Sequence, residues 1–455
     1  MLKISIFLKG LYFLKTSNLQ KAEVLYQVLK TSLNSLGIYD IPIVAQSYDG
    51  ANVMSGNHNG LQTLIQNDHP ECIYIHCMAH KLNLSLVSAC KAVEEANDFF
   101  LIVENCYKLF SLPAIHSQYL NICEVLEIKP LNIVSLSDTR WACRYQSIKA
   151  INENFGALVE TLKSISKSST DYKFQAIGLL SNINSNNFKL CLKIFVSILS
   201  VIHTLHSFLQ SEETTLSNAI SMIEATIQQF EHMRTDEFWN KFKLPDTDTD
   251  FFHPKRICKP VNFNDYVVPS TTGFRARNNE DNENFSKLHI YYPILDTLIN
   301  YLKSRFNFNS LDIAKGISSL FNIDSQNISC LLEKYKFLNI DPILSESELS
   351  ILKCELNHLN VLPDISVLRN VVTKCKYPSL FKLFQLSLTI PVASAKSERS
   401  ISALRRVHNY TRTTMGIDRV SAMSLLAIER DILFSINNSD IIDAFATHNR
   451  RANFV

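Results

Sequence analysis

The chain has 455 residues, of which 46% are hydrophobic and 19% are charged, and its net charge is +2 at pH 7. This length can form about two to four domains, and a total of only 10 glycines argues against a β-rich protein full of tight turns. The small net charge excludes a global electrostatic argument for nucleic-acid binding, so any such argument must rest on local patches. The 11 cysteines include no Cys-x-x-Cys pair, which predicts free thiols in a reducing compartment rather than a disulfide framework.

Short apolar strands alternate with helices at the start of the chain. Residues 4–14 predict a strand and residues 18–36 predict an amphipathic helix. Two further strands are predicted at 41–47 and 72–79, with an Asn- and Gly-rich loop and a helix between them. This alternation predicts an α/β domain. The apolar opening is not followed by a small-residue cleavage site, and no uninterrupted apolar run reaches membrane-spanning length, so we expect no membrane partner.

The pattern becomes helical after residue 79 and remains so to about residue 240. Residues 243–286 are rich in Pro, Asp, Asn and Thr and predict a long flexible loop. Helical patterning then resumes near residue 290 and continues to the C-terminal helices.

Residues 391–428 combine a run of small residues, an acidic residue and an arginine-rich helix. Glu398 lies in the predicted first turn, where the helix dipole favours a carboxylate. Arg405 and Arg406 follow, and such residues either contact phosphates or form a solvated basic face. We favour a mixed use, in which the apolar residues serve self-association and the nearby arginines serve acidic partners. Apolar residues at helical spacing predict a surface for self-association: Ile401, Leu404, Met423, Leu425, Leu426 and Ile428.

Four segments of the chain resemble the hAT superfamily of DNA transposases, most closely a branch of hAT-derived proteins described as zinc finger MYM-type protein 1-like. Residues 391–428 resemble the C-terminal dimerisation region of that family. AQSYDGANVMSGNHNGLQ resembles the segment around the second catalytic Asp, here Asp49. IHCMAHKLNL and SDTRWACRY resemble the Cys-x-x-His and Arg-Trp signatures, here Cys77 with His80 and Arg140 with Trp141.

The resemblance implies a fold of the α/β plus all-α class, in which an RNase H-like domain is interrupted by a large helical insertion. Residues 1–77 would form the N-terminal part of the RNase H-like domain. Residues 78–377 would form the all-α insertion, with the flexible loop at about 243–286. Residues 378–455 would supply the C-terminal RNase H-like helices and the dimerisation region.

The family's metal site implies three carboxylates that hold two divalent cations, Mg²⁺ or Mn²⁺. Asp49 suits the second position and Glu398 suits the third. Of the acidic residues upstream, Glu23 lies within a predicted helix and Asp40 immediately precedes the strand that leads to Asp49, so neither suits the first position. We therefore expect an incomplete RNase H-like domain without its leading strand or strands, and no metal cofactor in this chain.

Two signature pairs admit a second interpretation. Cys77 and His80 could be half of a zinc site, but packing and hydrogen bonding at a strand-to-helix corner is favoured, because structural zinc needs four converging ligands. The resemblance implies that Trp141, beside Arg140, stacks on a flipped base next to the cut site. The alternative is a core Trp among the insertion helices, and both interpretations stay open. No Cys or His precedes His58, so an N-terminal zinc finger is not expected.

These inferences predict a domesticated or degenerate hAT-type transposase that is catalytically inactive and acts through dimerisation with itself. DNA is a candidate second partner, and the resemblance implies a nuclear location. One alternative is a fragment of an active DNA transposase whose zinc finger and first catalytic Asp lie outside this sequence. The other is a helical interaction scaffold without a nucleic-acid role.

Overall fold

The computed structural model describes residues 21–136, 141–168, 171–211, 214–242, 286–306, 312–409 and 414–447. The described residues are mostly helical and contain one sheet of two parallel strands. The chain divides into two compact units. Unit 1 comprises residues 1–80, 212–216 and 312–455, and unit 2 comprises residues 81–211 and 217–311.

The chain begins in unit 1 and passes into unit 2 along one helix. The first elements are α1 (Ala22–Ser35), β1 (Ala45–Tyr48), α2 (Asn52–Ser55), α3 (Leu61–Asp68), β2 (Ile73–His76) and α4 (Met78–Lys91). Unit 2 continues α4 and adds α5 (Glu94–Phe110), α6 (Pro113–Val125), α7 (Trp141–Glu153), α8 (Phe155–Lys167), α9 (Lys173–Asn184), α10 (Asn186–Leu209), α11 (Leu216–Met233), α12 (Asp236–Trp239) and α13 (Tyr292–Arg305).

The chain then returns to unit 1 for its C-terminal third. The helices there are α14 (Asp312–Phe321), α15 (Ile328–Lys334), α16 (Pro342–His358), α17 (Ile365–Val371), α18 (Pro378–Thr389), α19 (Ala395–Val407), α20 (Ile417–Ile428), α21 (Arg430–Ser435) and α22 (Asn438–Ala446). Short 3-10 turns occur at Asn240–Phe242 and Lys336–Leu338, and a π-helical turn at Lys287–Tyr291 precedes α13.

The α/β part of unit 1 follows the predicted strand and helix order. β1 and β2 pair in parallel, with Ala45 opposite Ile73 and Tyr48 opposite His76. β2 is shorter than the predicted strand at 72–79, because Met78 already begins α4 and its N–H donates to the carbonyl of Val392 rather than to β1 (3.1 Å). The strand predicted at 4–14 lies outside the described residues. An RNase H-like topology therefore stays a prediction.

Helices α1 and α3 are joined by a polar cluster at the end of α3. Both the Tyr26 and the Tyr39 hydroxyl donate to the Asp68 carboxylate, and Lys30 lies 3.3 Å from it. These hydrogen bonds, led by that of Tyr26, lower the pKa of Asp68 to about 2. Leu25 and Leu29 of α1 also pack against a buried core cluster that contains Leu61 and Ile65 of α3.

Residues 312–455 belong to unit 1, and the predicted end of the helical insertion at 377 stays a prediction. Two of these residues contact the strand region: the Tyr335 hydroxyl donates to the carbonyl of Val44 (3.2 Å), and Lys334 donates to the carbonyl of Pro70 (3.0 Å). Tyr335 is buried in this position. Residues 312–338 thus pack on the α/β part of unit 1, a long-range contact that helical periodicity does not reveal.

A buried carboxylate connects α16 to α18. Glu348, only 6% exposed, accepts hydrogen bonds from the backbone N–H groups of Ser379 (3.0 Å) and Leu380 (2.9 Å) at the start of α18. The first N–H groups of a helix have no partner within the helix, and the helix dipole adds a favourable interaction with a carboxylate there. The Glu348 side chain therefore caps the start of α18 and holds it against α16.

Unit 2 is built around α10. This helix is long and apolar enough, by length and composition, to cross a membrane, although no such segment was expected from the sequence. However, 56% of its most apolar stretch of 18 residues is buried inside the structure. Phe195 of this helix stacks on Phe99 with ring centroids 5.1 Å apart. The Ser185 hydroxyl caps its start by accepting from the N–H of Phe188. Its apolar composition therefore fits a core helix of this unit.

The cysteines that the structure describes are free, in agreement with the predicted absence of disulfides. Burial raises the pKa of the Cys90, Cys106 and Cys191 thiols to about 12, so these three act as small core hydrophobes. The predicted loop at 243–286 falls almost entirely outside the described residues.

We expect Glu348→Ala to lower the free energy of unfolding by about 2–4 kcal/mol, because two buried N–H groups lose their charged acceptor. Urea unfolding followed by circular dichroism measures this. The matched control is Glu346→Ala on the same helix, where the side chain is exposed and the expected change is within about 0.5 kcal/mol. Equal effects of the two substitutions would show that Glu348 does not cap α18.

Candidate functional site

The carboxyl ends of the two parallel strands meet at one edge of the sheet. Asp49 follows the last residue of β1, and Cys77 follows the last residue of β2. The Cys77 N–H donates to the Tyr48 carbonyl (2.9 Å), which extends the pairing by one residue. The Asp49 side chain is exposed and accepts a long hydrogen bond from the N–H of Ala51 (3.4 Å), while its carbonyl accepts one from the Tyr74 hydroxyl (3.4 Å).

Cys77 also holds the start of α19 at this edge. Its fully buried sulfur accepts a hydrogen bond from the N–H of Ser394 (3.3 Å) and lies 3.2 Å from the Ser394 hydroxyl oxygen. That hydroxyl oxygen lies 3.0 Å from Glu398 Oε1, to which it donates. The residue before α19 therefore contacts both the Cys77 sulfur and the Glu398 carboxylate. The structure thus places Asp49 and Glu398, both exposed, in segments that Cys77 joins.

His76, the last residue of β2, lies between His80 in the first turn of α4 and Gly50 in the loop after β1. Its ring stacks on the ring of His80, with centroids 5.8 Å apart and planes at 24°. A Cβ added to Gly50 would lie 2.6 Å from His76 Cε1, so no larger residue fits there without movement. Gly50 was not among the predicted site residues, because its position in an Asn- and Gly-rich loop predicts a turn but not the contact with His76.

This edge shows no completed metal site. Among the residues that the structure describes, no group of three or more His, Cys, Asp or Glu side chains is arranged to hold a metal ion. Cys77 has Ser394 as its neighbour rather than a second sulfur or imidazole ligand. The metal-ligand roles of Asp49 and Glu398 stay predictions.

The Arg-Trp signature belongs to unit 2. Arg140 lies outside the described residues, and Trp141 is the first residue of α7, where only its backbone is described. Three residues later, the Arg144 guanidinium lies over the Phe100 ring, 4.7 Å from its centroid. Arg144 and Phe100 line a cavity of about 220 Å³ together with Glu104, which accepts from the N–H of Leu136 (3.0 Å). Stacking of Trp141 on a base stays a prediction.

The residues predicted for self-association fall into two groups. Ile401 and Leu404 on α19, and Met423 and Ile428 on α20, are half-buried. Leu425 and Leu426 on α20 are each 49% exposed. Arg405 and Arg406 are exposed in the last turn of α19.

The apolar surface continues beyond the predicted set. Ile432, Phe434 and Ile436 on or after α21, and Ile441 and Ile442 on α22, are exposed, with Phe434 at 83%. The predicted list ended at Ile428, although apolar residues continue at short intervals beyond it. So many exposed apolar residues in one segment are unusual for a surface that remains in contact with water.

Comparison with known proteins covers part of this surface, including Leu425, Leu426 and Ile432. Residues 350–432 match the family model of the hAT family C-terminal dimerisation region. The chain is related to the hAT family. We call residues 350–432 the hAT region. A mouse protein named 52 kDa repressor of the inhibitor of the protein kinase is 19% identical to the chain over 422 residues, which is 85% of this chain and 53% of the mouse protein. The chain therefore spans about half the length of that relative.

The resemblance inferred from the sequence is thereby confirmed. The hAT region begins within α16 and ends within α21. It includes Ser394, which contacts Cys77, together with the exposed arginines of α19 and the exposed leucines of α20. The match thus begins 41 residues before the segment at 391–428 that the sequence analysis selected (391 minus 350).

We expect Gly50→Ala to lower the free energy of unfolding by about 1–3 kcal/mol, because the new methyl group displaces His76 or the loop. Gly178→Ala in α9 is the matched control. That glycine lies in a helix with nothing within 4 Å of an added Cβ, so the substitution should raise stability by about 0.5–1 kcal/mol. Urea unfolding distinguishes the signs, and a stabilising effect of Gly50→Ala would contradict the close approach.

Proposed function

We propose that this hAT-derived chain forms a dimer through the hAT region and binds DNA without cutting it. The observation that carries the proposal is the exposure of Leu425 and Leu426 within a matched dimerisation region. Removal of such side chains from water stabilises an association by about 25 cal/mol per Å² of apolar surface. In a two-fold dimer each side chain contributes twice.

Exposed basic residues support the DNA-binding part of the proposal. Arg405 and Arg406 lie side by side at the end of α19, within the hAT region. Arginines can neutralise phosphates and release counterions, a contribution to affinity that a net charge of +2 does not exclude. The mouse relative is named a repressor, and binding without cleavage is compatible with such a role. A nuclear location follows from this proposal.

The proposal that the chain does not cut DNA rests on the local contacts of the two carboxylates. Asp49 accepts a hydrogen bond from Ala51 two residues later, and Glu398 accepts one from Ser394 at the start of its own helix. Both contacts are typical of turn and helix-end carboxylates without catalytic roles. We propose that the chain by itself carries neither Mg²⁺ nor Mn²⁺.

Cleavage by a complete metal site is the second candidate function. It is favoured by the contacts of Cys77, which joins the strand end beside Asp49 to the helix start beside Glu398. Two-metal hydrolysis of phosphodiesters needs further oxygen ligands at such a site. These would have to come from residues other than the described ones.

Self-association is expected at micromolar concentration and should weaken when both Leu425→Asp and Leu426→Asp are introduced. Each substitution places a charge where the dimer excludes water, so we expect the Kd to rise by at least about 100-fold. Phe174→Asp is the matched control, since Phe174 is 84% exposed but lies on α9, outside the hAT region. Sedimentation equilibrium measures all three proteins. A wild-type chain that remains a monomer contradicts the proposal.

DNA binding is expected to depend on salt through Arg405 and Arg406. With both residues changed to Gln, the slope of log K against log salt should fall by about 2, because each Arg releases about one counterion. Lys303→Gln on α13 is the control and should leave the slope unchanged, because this exposed side chain already pairs with Glu231.

Titration with DNA also distinguishes the proposal from the alternative of a helical scaffold without a nucleic-acid role. Single-stranded and hairpin DNA are compared for the wild type and Trp141→Ala, since stacking on unpaired bases contributes about 1–3 kcal/mol per base. Affinity that changes neither with salt nor with Trp141→Ala would favour a helical scaffold without a nucleic-acid role.

No strand cleavage is expected when the purified chain is incubated with hairpin or duplex DNA and Mg²⁺ or Mn²⁺. Asp49→Asn is the matched control for any background nuclease, because it removes one oxygen ligand and keeps the shape of the side chain. Nicking by the wild type that disappears in Asp49→Asn would replace the proposal with the second candidate function.

A further inference from the structure

We propose that the two copies in the dimer exchange their C-terminal helices, so that α22 of one copy packs on the exposed apolar face of α16 of the other. The inference rests on the proposed self-association and deepens it by naming the two surfaces that meet. Both surfaces belong to unit 1.

The first surface is α22, a nine-residue helix with no buried residue. Two of its large apolar side chains are exposed, Ile441 to 46% and Ile442 to 63%. Asn437 caps the helix by accepting a hydrogen bond from the N–H of Ser439 (3.3 Å). Helices this short are not stable in water without tertiary packing. A second surface must therefore cover the apolar side of α22.

The second surface lies on α16 and on the segment that follows it. Leu349, Leu352 and Leu356 are buried on one side of the helix. The other side exposes large apolar residues that continue past the end of the helix, and we call them the α16 face: Ile343 (76%), Leu344 (48%), Ile351 (60%), Leu359 (51%) and Leu362 (85%).

Cys354 of the same helix also lies on this side. Ile343 and Ile351 are about two turns apart, and exposed Cys354 is about one turn further along. The α16 face is long enough for a short helix to lie along it, as in the recognition of an amphipathic helix by an apolar groove.

The hAT region identifies the second copy as the occupant of the α16 face. The match at 350–432 contains Ile351, Leu359 and Leu362 from this face, and it also contains Leu425 and Leu426 on the chain that leads to α22. Both surfaces are therefore continuous with a region matched to dimerisation.

The area needed for a stable dimer favours exchange over contact between the two α22 helices. A nine-residue helix is about 14 Å long, and two of them in contact bury far less than the roughly 800 Å² per partner of a stable interface. Exchange forms two equivalent contacts in one dimer, because each copy supplies both an α22 helix and an α16 face. It also covers apolar residues that contact between the two α22 helices would leave in water.

Chemical crosslinking tests the juxtaposition directly. Cys354 supplies a natural thiol on the α16 face, and Asn438→Cys adds one to α22, one turn before Ile441 and Ile442 on the same side. In a Cys375→Ser background, which removes the other exposed thiol among the described residues, we expect a short bismaleimide to give a covalent dimer of the full chain. The covalent dimer should disappear when Cys354→Ser is added, and it should not form in the chain without Asn438→Cys.

Each other product overturns the inference in a distinct way. A crosslinked monomer that needs both Asn438→Cys and Cys354 means that α22 docks on the α16 face of its own chain. A covalent dimer that needs Asn438→Cys but survives Cys354→Ser means that α22 meets a surface other than the α16 face. A chain that sediments as a dimer but gives no crosslink contradicts only the exchange, whereas a chain that sediments as a monomer contradicts the proposed self-association as well.

Mixing two charged variants gives an independent test. Ile351→Asp and Ile442→Asp should each weaken dimerisation, since each alters both exchanged contacts of its own homodimer. An equimolar mixture forms a heterodimer in which one contact is unaltered, so its Kd should be at least about tenfold lower than that of either homodimer. Thermal unfolding checks that both variants fold. An Ile351→Asp chain with the wild-type Kd, or a mixture without recovery, overturns the exchange.

Discussion

The structure of unit 1 depends on one contact between segments that are 317 positions apart, the hydrogen bond from Ser394 to the buried sulfur of Cys77. Together with the bond from Met78 N–H to the Val392 carbonyl, it attaches the start of α19 to the strand pair. The thiol suits this position because it is small and apolar enough for full burial and still accepts a weak hydrogen bond. Through this contact the hAT region becomes part of the α/β core.

That attachment separates the hAT region into a covered part and an exposed part. Residues near Cys77 and the capped start of α18 are buried within unit 1, whereas Leu425, Leu426 and Ile432 of the hAT region are exposed, as are Phe434, Ile441 and Ile442 beyond it. An apolar surface of this kind costs free energy in a monomer and is normally covered by a partner. On the proposed dimerisation, the second copy is therefore a component of the folded C-terminal region.

Local sequence patterns predicted much of unit 1 but not its long-range contacts. The strand and helix order around β1 and β2 could be predicted because alternation and helical spacing are local. The placement of Asp49 beside Cys77 follows from the rule that parallel strands end at one edge. The contact of Tyr335 with Val44 and the contact of Gly50 with His76 could not be predicted, since neither leaves a periodic signal. The apolar stripe on α16 was missed because a helix with two apolar sides resembles a fully buried one.

Hydrogen exchange measured as a function of protein concentration tests the central claim most directly. If the second copy covers the C-terminal helices, the amides of residues 432–446 should exchange quickly in dilute protein and become protected as the dimer forms, together with those of α16. Exchange in these segments that is independent of concentration, in a protein shown by sedimentation to dimerise over the same range, would contradict the account.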